Sequence, residues 1–462
     1  MRTAKEVYAA LWRIALPAAG LAAAVLVLAG SLGDWAADPG RWQRQSGDFY
    51  AEQGRALIHG YAEPTVSAAA PGEAVAAALF CQPASQAVQV AARGACLLLC
   101  VLLAFALGRL LHSAPAGALA ALGAALVLPP SLYSNRWYYD LQVLAVGCAL
   151  VWRARAPSPW RSVVLGLALG ASLTVQSALL FFPPLLVLCE LAGRKDRDDP
   201  SWRLQALLLC AVPLLFVIPW AAANWQLHRR FIPFDDGRAR PLVVAGALGY
   251  ASFAQGRWEA ALSSAPPDRS LLAWALQQVW EPPLRYLASC WQRLEFAFRL
   301  QPVLCAAGPA AAWLLRRDRA HGQLALLAAY LLGVHCLLTV DPRYFEPAWP
   351  LLAVMGACAL LSWREPEAAE DRLRLGSGIL YAALAPVLAL AFYSAGLAAA
   401  YPARADALSL DRRLAGRPGD SWLWSARGRR SLERGSPAEA AADFGKALAR
   451  DPRRAELVGR CA

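Results

Sequence analysis

Between Gly47 and Tyr61 the chain reads Gly47-Asp48-Phe49-Tyr50-Ala51-Glu52-Gln53-Gly54-Arg55-Ala56-Leu57-Ile58-His59-Gly60-Tyr61, just beyond its first long apolar run. An aspartate, a tyrosine two residues on, a small residue, a leucine and a glycine recur there at helix-like spacing. A carboxylate beside a bilayer is costly to desolvate, and it is usually kept for chemistry or for a partner. Partial desolvation and nearby cations can tune such a group for proton transfer. Asp48 is therefore the first candidate, with helix N-capping as its competing role. Asp140 is the second, in Tyr133-Ser134-Asn135-Arg136-Trp137-Tyr138-Tyr139-Asp140 at the outer end of another apolar run. Capping the first turn against the helix dipole is its competing role. Arg343 lies in Asp341-Pro342-Arg343-Tyr344-Phe345-Glu346-Pro347. Its guanidinium offers the planar fork that takes a phosphate bidentately. Pairing with Asp341 or Glu346, or snorkelling to headgroups, is the alternative. Arg55 and Arg136 are weaker cations of the same kind, and Glu52, Glu63 and Glu73 read as solvated-face residues.

The elements that must position these groups follow from composition. The chain has 462 residues, 58% of them hydrophobic, and a mean hydropathy of +0.36. The apolar residues fall in runs of roughly 18–25, each long enough to cross a ~30 Å hydrocarbon core. The expected fold class is all-α: a polytopic membrane protein with about 11 transmembrane helices. Spans are read near 11–33, 88–111, 114–132, 138–152, 161–176, 178–193, 203–223, 302–315, 322–340, 347–363 and 375–399. Basic clusters at Arg2/Lys5, Arg109/His112, Arg153/Arg155/Arg161, Arg194/Lys195/Arg197, Arg316/Arg317/Arg319 and Arg364/Arg372/Arg374 alternate with one side. By the positive-inside rule that side, and the N-terminus, is cytoplasmic. The expected location is the cell inner (plasma) membrane, multi-pass. Segments 34–87, 133–137, 224–300 and 341–346 face the other side. An odd span count places the C-terminal tail there too, although Arg404, Arg412 and Arg413 open it. The tight 161–193 pair decides this count. The net charge of +12 is thus a topology signal, and no nucleic-acid partner is implied.

The first outer segment, 34–87, suits an amphipathic helix over 46–60 lying along the interface, with Phe49, Tyr50, Leu57 and Ile58 on its apolar side. Pro64, Pro71 and Gly72 break it, and Ala74–Phe80 forms a second short helix. Segment 224–300 carries Trp225, Trp258, Trp274, Trp280 and Trp291, which suits a lid at headgroup level. In the tail, residues 401–462, Trp424, Gly428, Gly435, Ala440, Phe444, Ala447, Leu448 and Pro452 match the tetratricopeptide pattern. Helices are expected over about 421–434 and 437–449, with Trp424 and Phe444 in the seam. Such a unit leaves an apolar face for a neighbour: the 224–300 segment, an acceptor protein or another subunit. Eight of the eleven cysteines lie inside spans as small hydrophobes, and no CxxC or paired-histidine spacing for zinc occurs.

Over about residues 1–400 these features resemble the GT-C superfamily of membrane glycosyltransferases, and within it family 39, the protein O-mannosyltransferases and bacterial aminoarabinose transferases. The resemblance rests on the Asp48 stretch, Asp140, and Arg343-Tyr344 followed by proline. It rests also on Pro219-Trp220-Ala221-Ala222-Ala223-Asn224 with Arg230-Phe231-Ile232-Pro233. It implies that Asp48 activates an acceptor hydroxyl or amine, or helps hold a metal, with Asp140 as the second carboxylate. Arg343, Tyr344, Arg55 and Arg136 are implied at the donor phosphate, and Tyr50, Trp220 and Asn224 in the cavity. A divalent cation, if used, would sit on Asp48 and Asp140. The implied donor is a sugar on a polyprenyl phosphate, and the acceptor a protein, glycan or lipid; membrane lipid and a protein docked on the tail are the other implied partners. The chain departs from the pattern at Ala223, where an arginine is usual, at Phe49 after Asp48, and in its reduced Pro71-Gly72. A lipid-linked sugar transporter, a polysaccharide polymerase or ligase, and a non-catalytic assembly protein are the alternatives. Spans nearly free of charge argue against the transporter.

Overall fold

The computed structural model describes residues 14–37, 48–60, 70–80, 85–129, 138–193, 200–229, 231–234, 239–252, 271–362, 369–407 and 410–450. Among these residues the structure is helical, apart from one isolated parallel bridge between Ser252 and Val340. In chain order, α1 (Leu16–Ala37) is followed by α2 (Asp48–His59) and α3 (Pro71–Phe80) of the first loop. Then come α4 (Gln86–Leu111), α5 (Ala114–Val127), α6 (Tyr139–Arg155), α7 (Pro159–Leu173), α8 (Phe182–Ala192), α9 (Pro200–Ala211) and α10 (Leu214–His228). The second loop carries α11 (Ala239–Ala247), α12 (Leu271–Trp280) and α13 (Pro283–Leu300). The bundle continues with α14 (Pro302–Leu314), α15 (Arg319–Cys336), α16 (Ala348–Leu361) and α17 (Ala369–Ala407). The tail is α18 (Leu410–Gly416), α19 (Ser421–Glu433) and α20 (Pro437–Arg450).

Among the described residues four helical stretches are long and apolar enough to cross a membrane: Leu16–Ala37, Gln86–Leu111, Pro200–Leu227 and Gly378–Arg404. Shorter apolar helices accompany them, among them α5, α14 and α16. Side chains that accept N–H bonds start several of them. Ser85 caps α4, Ser113 caps α5, Ser158 caps α7 and Asp318 caps α15, each satisfying an amide that the helix leaves open. At the centre, α6 is buried from Tyr139 to Ala154, with α4, α7, α15 and α17 packed around it.

One end of the bundle gathers the basic turns. Arg155 meets Asp318 at 2.7 Å, and Asp318 meets His321 at 2.9 Å. Burial opposes the charge of Asp318, but the His321 hydrogen bond and the Arg155 charge hold its carboxyl below the usual carboxylate range. Glu190 of α8 takes Arg153 of α6 at 2.7 Å and Arg319 of α15 at 3.0 Å.

The opposite end differs from the sequence reading in two respects. The first-loop helix does not lie along an interface: Ala51, Gln53, Ala56 and Leu57 have no exposed surface, and Glu52 has 2%. Helix α2 sits between α3, α17 and the tail. The physical reason is that the tail supplies partners for its polar side. Arg429 pairs with Glu52, Arg413 donates to the His59 carbonyl, and Arg404 donates to the Leu57 carbonyl at 2.9 Å. The tail's apolar face likewise has a neighbour other than those expected. Leu410, Leu414, Leu423 and Ala426 form one buried cluster with Ala56, Leu57, Ala74, Trp220, Ala223 and Tyr401.

Within the tail, α19 and α20 form a hairpin in which Phe444 fills the seam. A Cβ at Gly428 would lie 2.9 Å from the Phe444 ring, so glycine permits this approach. Trp424, expected in the seam, is half-buried instead. Arg427, Lys446 and Arg450 lie over its ring, with Lys446 at 4.5 Å. In segment 224–300, Trp274 is buried, Trp225, Trp280 and Trp291 are exposed, and Trp258 lies outside the described residues.

Candidate functional site

At the end of the bundle that carries the two loops, a cavity of about 420 Å³ opens between span ends and the second loop. Its first wall is the turn after α7, Val175 to Ala178 with Leu180 and Phe181. Its second is the end of α15, Val334, His335, Leu338 and Thr339, joined by Tyr344. Pro233, Phe234, Leu242 and Val243 complete it. The lining is mostly apolar, and Gln176, Ser177, His335, Thr339 and Tyr344 supply the polar groups.

Local structure explains each wall. The Trp220 indole donates to the Phe234 carbonyl at 2.5 Å, and the Asn224 amide donates to the Ile232 carbonyl at 2.7 Å. Two side chains of α10 therefore fold the segment after it back over the cavity. The α15 wall is fixed by rings: Tyr344 stacks on His335 at 5.3 Å, and Phe345 meets His335 edge-on at 6.2 Å. The Tyr330 hydroxyl donates to the Ala178 carbonyl at 2.7 Å and ties α15 to the first wall.

Arg293 of α13 ties the ends of α11 and α15 together, alongside the Tyr286 hydroxyl, which donates to the Leu337 carbonyl at 2.6 Å. Arg293 has no exposed surface. Its guanidinium donates to the carbonyls of Gly246 at 2.9 Å, Tyr250 at 2.9 Å and Cys336 at 3.1 Å. These carbonyls lie at the C-terminal ends of α11 and α15, where the helix dipole favours a cation. Burial alone would be prohibitive for this charge, and it lowers the Arg293 pKa.

The carboxylate side of the site adjoins the first wall. Gly72 at the start of α3 donates to the Thr174 carbonyl at 2.7 Å, directly before Val175. The Tyr138 hydroxyl donates to the Glu73 carbonyl at 3.3 Å, which brings the start of α6 to α3. Asp140 and Glu73 are both buried there, 3% and 1% exposed. Helix α2 is pressed against α3 at Gly54. A Cβ at that position would lie 2.0 Å from the Ala74 carbonyl oxygen, so only glycine fits.

The sequence-derived residues divide accordingly. Tyr344 lines the cavity, and Trp220 and Asn224 hold its wall. Asp140 and Arg55 are buried on the carboxylate side, and Tyr50 packs beside Ala51 and Ala77. Arg343 turns to Asp341, Nε to Oδ1 at 2.9 Å and Nη2 to Oδ2 at 2.8 Å; that bond raises its pKa and keeps it charged. Asp48 opens α2, but its side chain, like all of Arg136, lies outside the described residues. Among the described residues no three His, Cys, Asp or Glu side chains converge as a metal site. The sequence reading passed over His335, Gln176 and Arg293. A lone histidine at the outer end of an apolar run was the available signal for the first.

No protein-family profile matches the chain, and no curated protein does. Among solved structures, it is similar to the apo Archaeoglobus fulgidus oligosaccharyltransferase, at 14% identity and TM-score 0.44. That match covers 84% of this chain and 56% of the other, so this chain spans little more than half of that protein's length. It is also similar to ArnT from Cupriavidus metallidurans bound to undecaprenyl phosphate, at 18% identity and TM-score 0.42, over 94% of this chain and 77% of that one. No residue role is carried across from either.

Proposed function

We propose that this chain is a membrane glycosyltransferase that moves a sugar from a polyprenyl-phosphate donor to an acceptor on the extracytoplasmic face. The observation that carries the reading is the apolar cavity with polar groups between span ends, adjoining the buried carboxylates Asp140 and Glu73. A prenyl chain suits the apolar walls, and polar groups meet the head of the donor. In this reading the acceptor oxygen or nitrogen bonds to the sugar's anomeric carbon. The bond from that carbon to the phosphate oxygen breaks, with inversion. The acceptor proton passes to Asp48 or Asp140, and the polyprenyl phosphate leaves with the negative charge. Arg343 exchanges Asp341 for the phosphate. Eleven passes between the two ends of the bundle, with the tail docked beside α2, give a cytoplasmic N-terminus and an extracytoplasmic tail.

Undecaprenyl phosphate, added to the purified protein in nanodiscs, is the first probe. Saturable binding is expected, and Val334→Trp, which fills the cavity, should weaken it at least tenfold while helical content is kept. Equal binding by the variant overturns the cavity assignment. With lipid-linked sugars as donors, Asp48→Asn and Asp140→Asn should each slow transfer by about 10²–10⁴. A reporter fused after α20 that is active only in the cytoplasm would overturn the placement of the tail.

A further inference from the structure

A second cavity, of about 350 Å³, lies at the other end of α15, between that helix and α8. The two cavities are separated along α15 by about 20 Å at 1.5 Å per residue, so they sit at opposite ends of the bundle. Leu186, Cys189 and Glu190 of α8 and Arg319, Gln323 and Leu326 of α15 line the second one. Its charges do not cancel. Glu190 accepts from Arg153 through both oxygens, at 2.7 and 3.0 Å, from Arg319 at 3.0 Å and from Gln323 at 2.6 Å. Among the described residues two guanidinium groups thus share one carboxylate, which leaves one positive charge. Arg153 is spent: its remaining Nε donates to Ser162 at 2.9 Å. Arg319 gives only one nitrogen to Glu190, and its side chain is 46% exposed. Its remaining N–H groups form the fork that a phosphate accepts. Beside it, Gln323 is 6% exposed and spends its amide N–H on Glu190. Its Oε1 has no hydrogen-bond partner among the described residues. A buried acceptor without a donor forfeits its hydration without compensation.

We propose that this cavity binds a glycerophospholipid headgroup from the leaflet on the basic side of the protein. The phosphate meets Arg319, an N–H or O–H donor beyond the phosphate meets Gln323 Oε1, and the partly exposed Leu326 meets the upper acyl chains. A headgroup of this kind supplies the missing negative charge and the missing donor together. Phosphatidylglycerol has both features with a net negative charge, phosphatidylethanolamine has the phosphate and a donor that is a cationic ammonium, and phosphatidylcholine has the phosphate but no donor.

The test is thermal unfolding of the delipidated full chain in detergent, with lipid added back, and native mass spectrometry of retained lipid. Phosphatidylethanolamine or phosphatidylglycerol should raise the midpoint by a few degrees through preferential binding to the folded state. Phosphatidylcholine should give less than half that shift. Gly322→Leu is the blocking variant: a Cβ there meets only open space, and leucine improves the helix propensity. It should fold, keep undecaprenyl phosphate binding at the other cavity, and lose the headgroup-specific shift. Arg319→Gln should reduce the shift and the retained lipid. An equal shift with phosphatidylcholine overturns the proposal, as does an undiminished one in both variants. A shift of the same size from inorganic phosphate alone would assign the cavity to a soluble anion and refute the lipid.

Discussion

Helices α2 and α13 are both amphipathic and both belong to loops at the same end of the bundle, yet they are covered in opposite ways. Helix α2 is enclosed by protein on its apolar and its polar sides. Helix α13 is inverted. Ser289, Arg293 and Ala297 face the protein, while Leu284, Leu287, Trp291, Leu294 and Phe298 are exposed, from 39% at Leu294 to 79% at Leu284. Those five recur at intervals of three and four, which draws one stripe along the helix. A polar arginine inside and a stripe of large apolar residues outside is stable when the outer solvent is a lipid interface. An amphipathic pattern therefore states that a helix has two faces, and other parts of the molecule decide what meets each face.

Four changes sharpen this contrast, taken from the largest expected effect. Glu52→Gln leaves Arg429 facing a neutral group in the covered seam. Breaking a buried pair of this kind costs about 3–5 kcal/mol. Hydrogen exchange over α2 and α19 should rise together, and unchanged exchange would show that the seam does not depend on the pair. Gly54→Ala places a methyl group against the Ala74 carbonyl, with an overpacking penalty of about 1–3 kcal/mol. It should lower the unfolding midpoint, whereas Ser289→Ala on α13 should leave it nearly unchanged.

The third change is pH. Partial burial, with Arg417, Arg413 and Arg55 nearby, holds His59 below its ordinary 6.5, and Asp420 opposes them. The docked state thus favours neutral His59, and the undocked state binds more protons. Docking of the tail is complete above about pH 6.5 and weakens as pH falls below it. Energy transfer between labels on α2 and α19 should report this, and His59→Gln should flatten the curve. The smallest effect is Leu287→Ser on the exposed stripe. Stability in detergent should stay within about 0.5 kcal/mol, while lipid quenching of Trp291 fluorescence should fall. A large loss of stability would place α13 against protein after all.

Much of the helical plan was legible because it depends on local periodicity. The apolar run read at 88–111 is α4 at Gln86–Leu111, and the hairpin read at 421–434 and 437–449 is Ser421–Glu433 and Pro437–Arg450. The pairings were not legible. Arg153 read as one member of a basic cluster that sets topology, yet it is 1% exposed and bonded to Glu190 of another helix. Arg293 does not stand out within the tryptophan-rich 224–300 segment, and no local pattern marks the three carbonyls it binds. Asp140 was singled out as an acidic side chain at a span end, and Tyr344 through the resemblance of Arg343-Tyr344 to the family's motif. Gln176 and Thr339 were not, because small polar residues in turns are common.

The Glu52–Arg429 contact also sets an order in time. Its partners are 377 residues apart. At ~5–20 residues per second, Glu52 is made roughly 20–75 s before Arg429. During that interval α2 has its apolar partner α3 but not its polar cover. Nascent chains halted before residue 404 lack Arg404, Arg413 and Arg429 altogether. Completion of the carboxylate side of the molecule is therefore among the last events of biogenesis, and chains interrupted before residue 404 are expected to leave the polar side of α2 without these arginines.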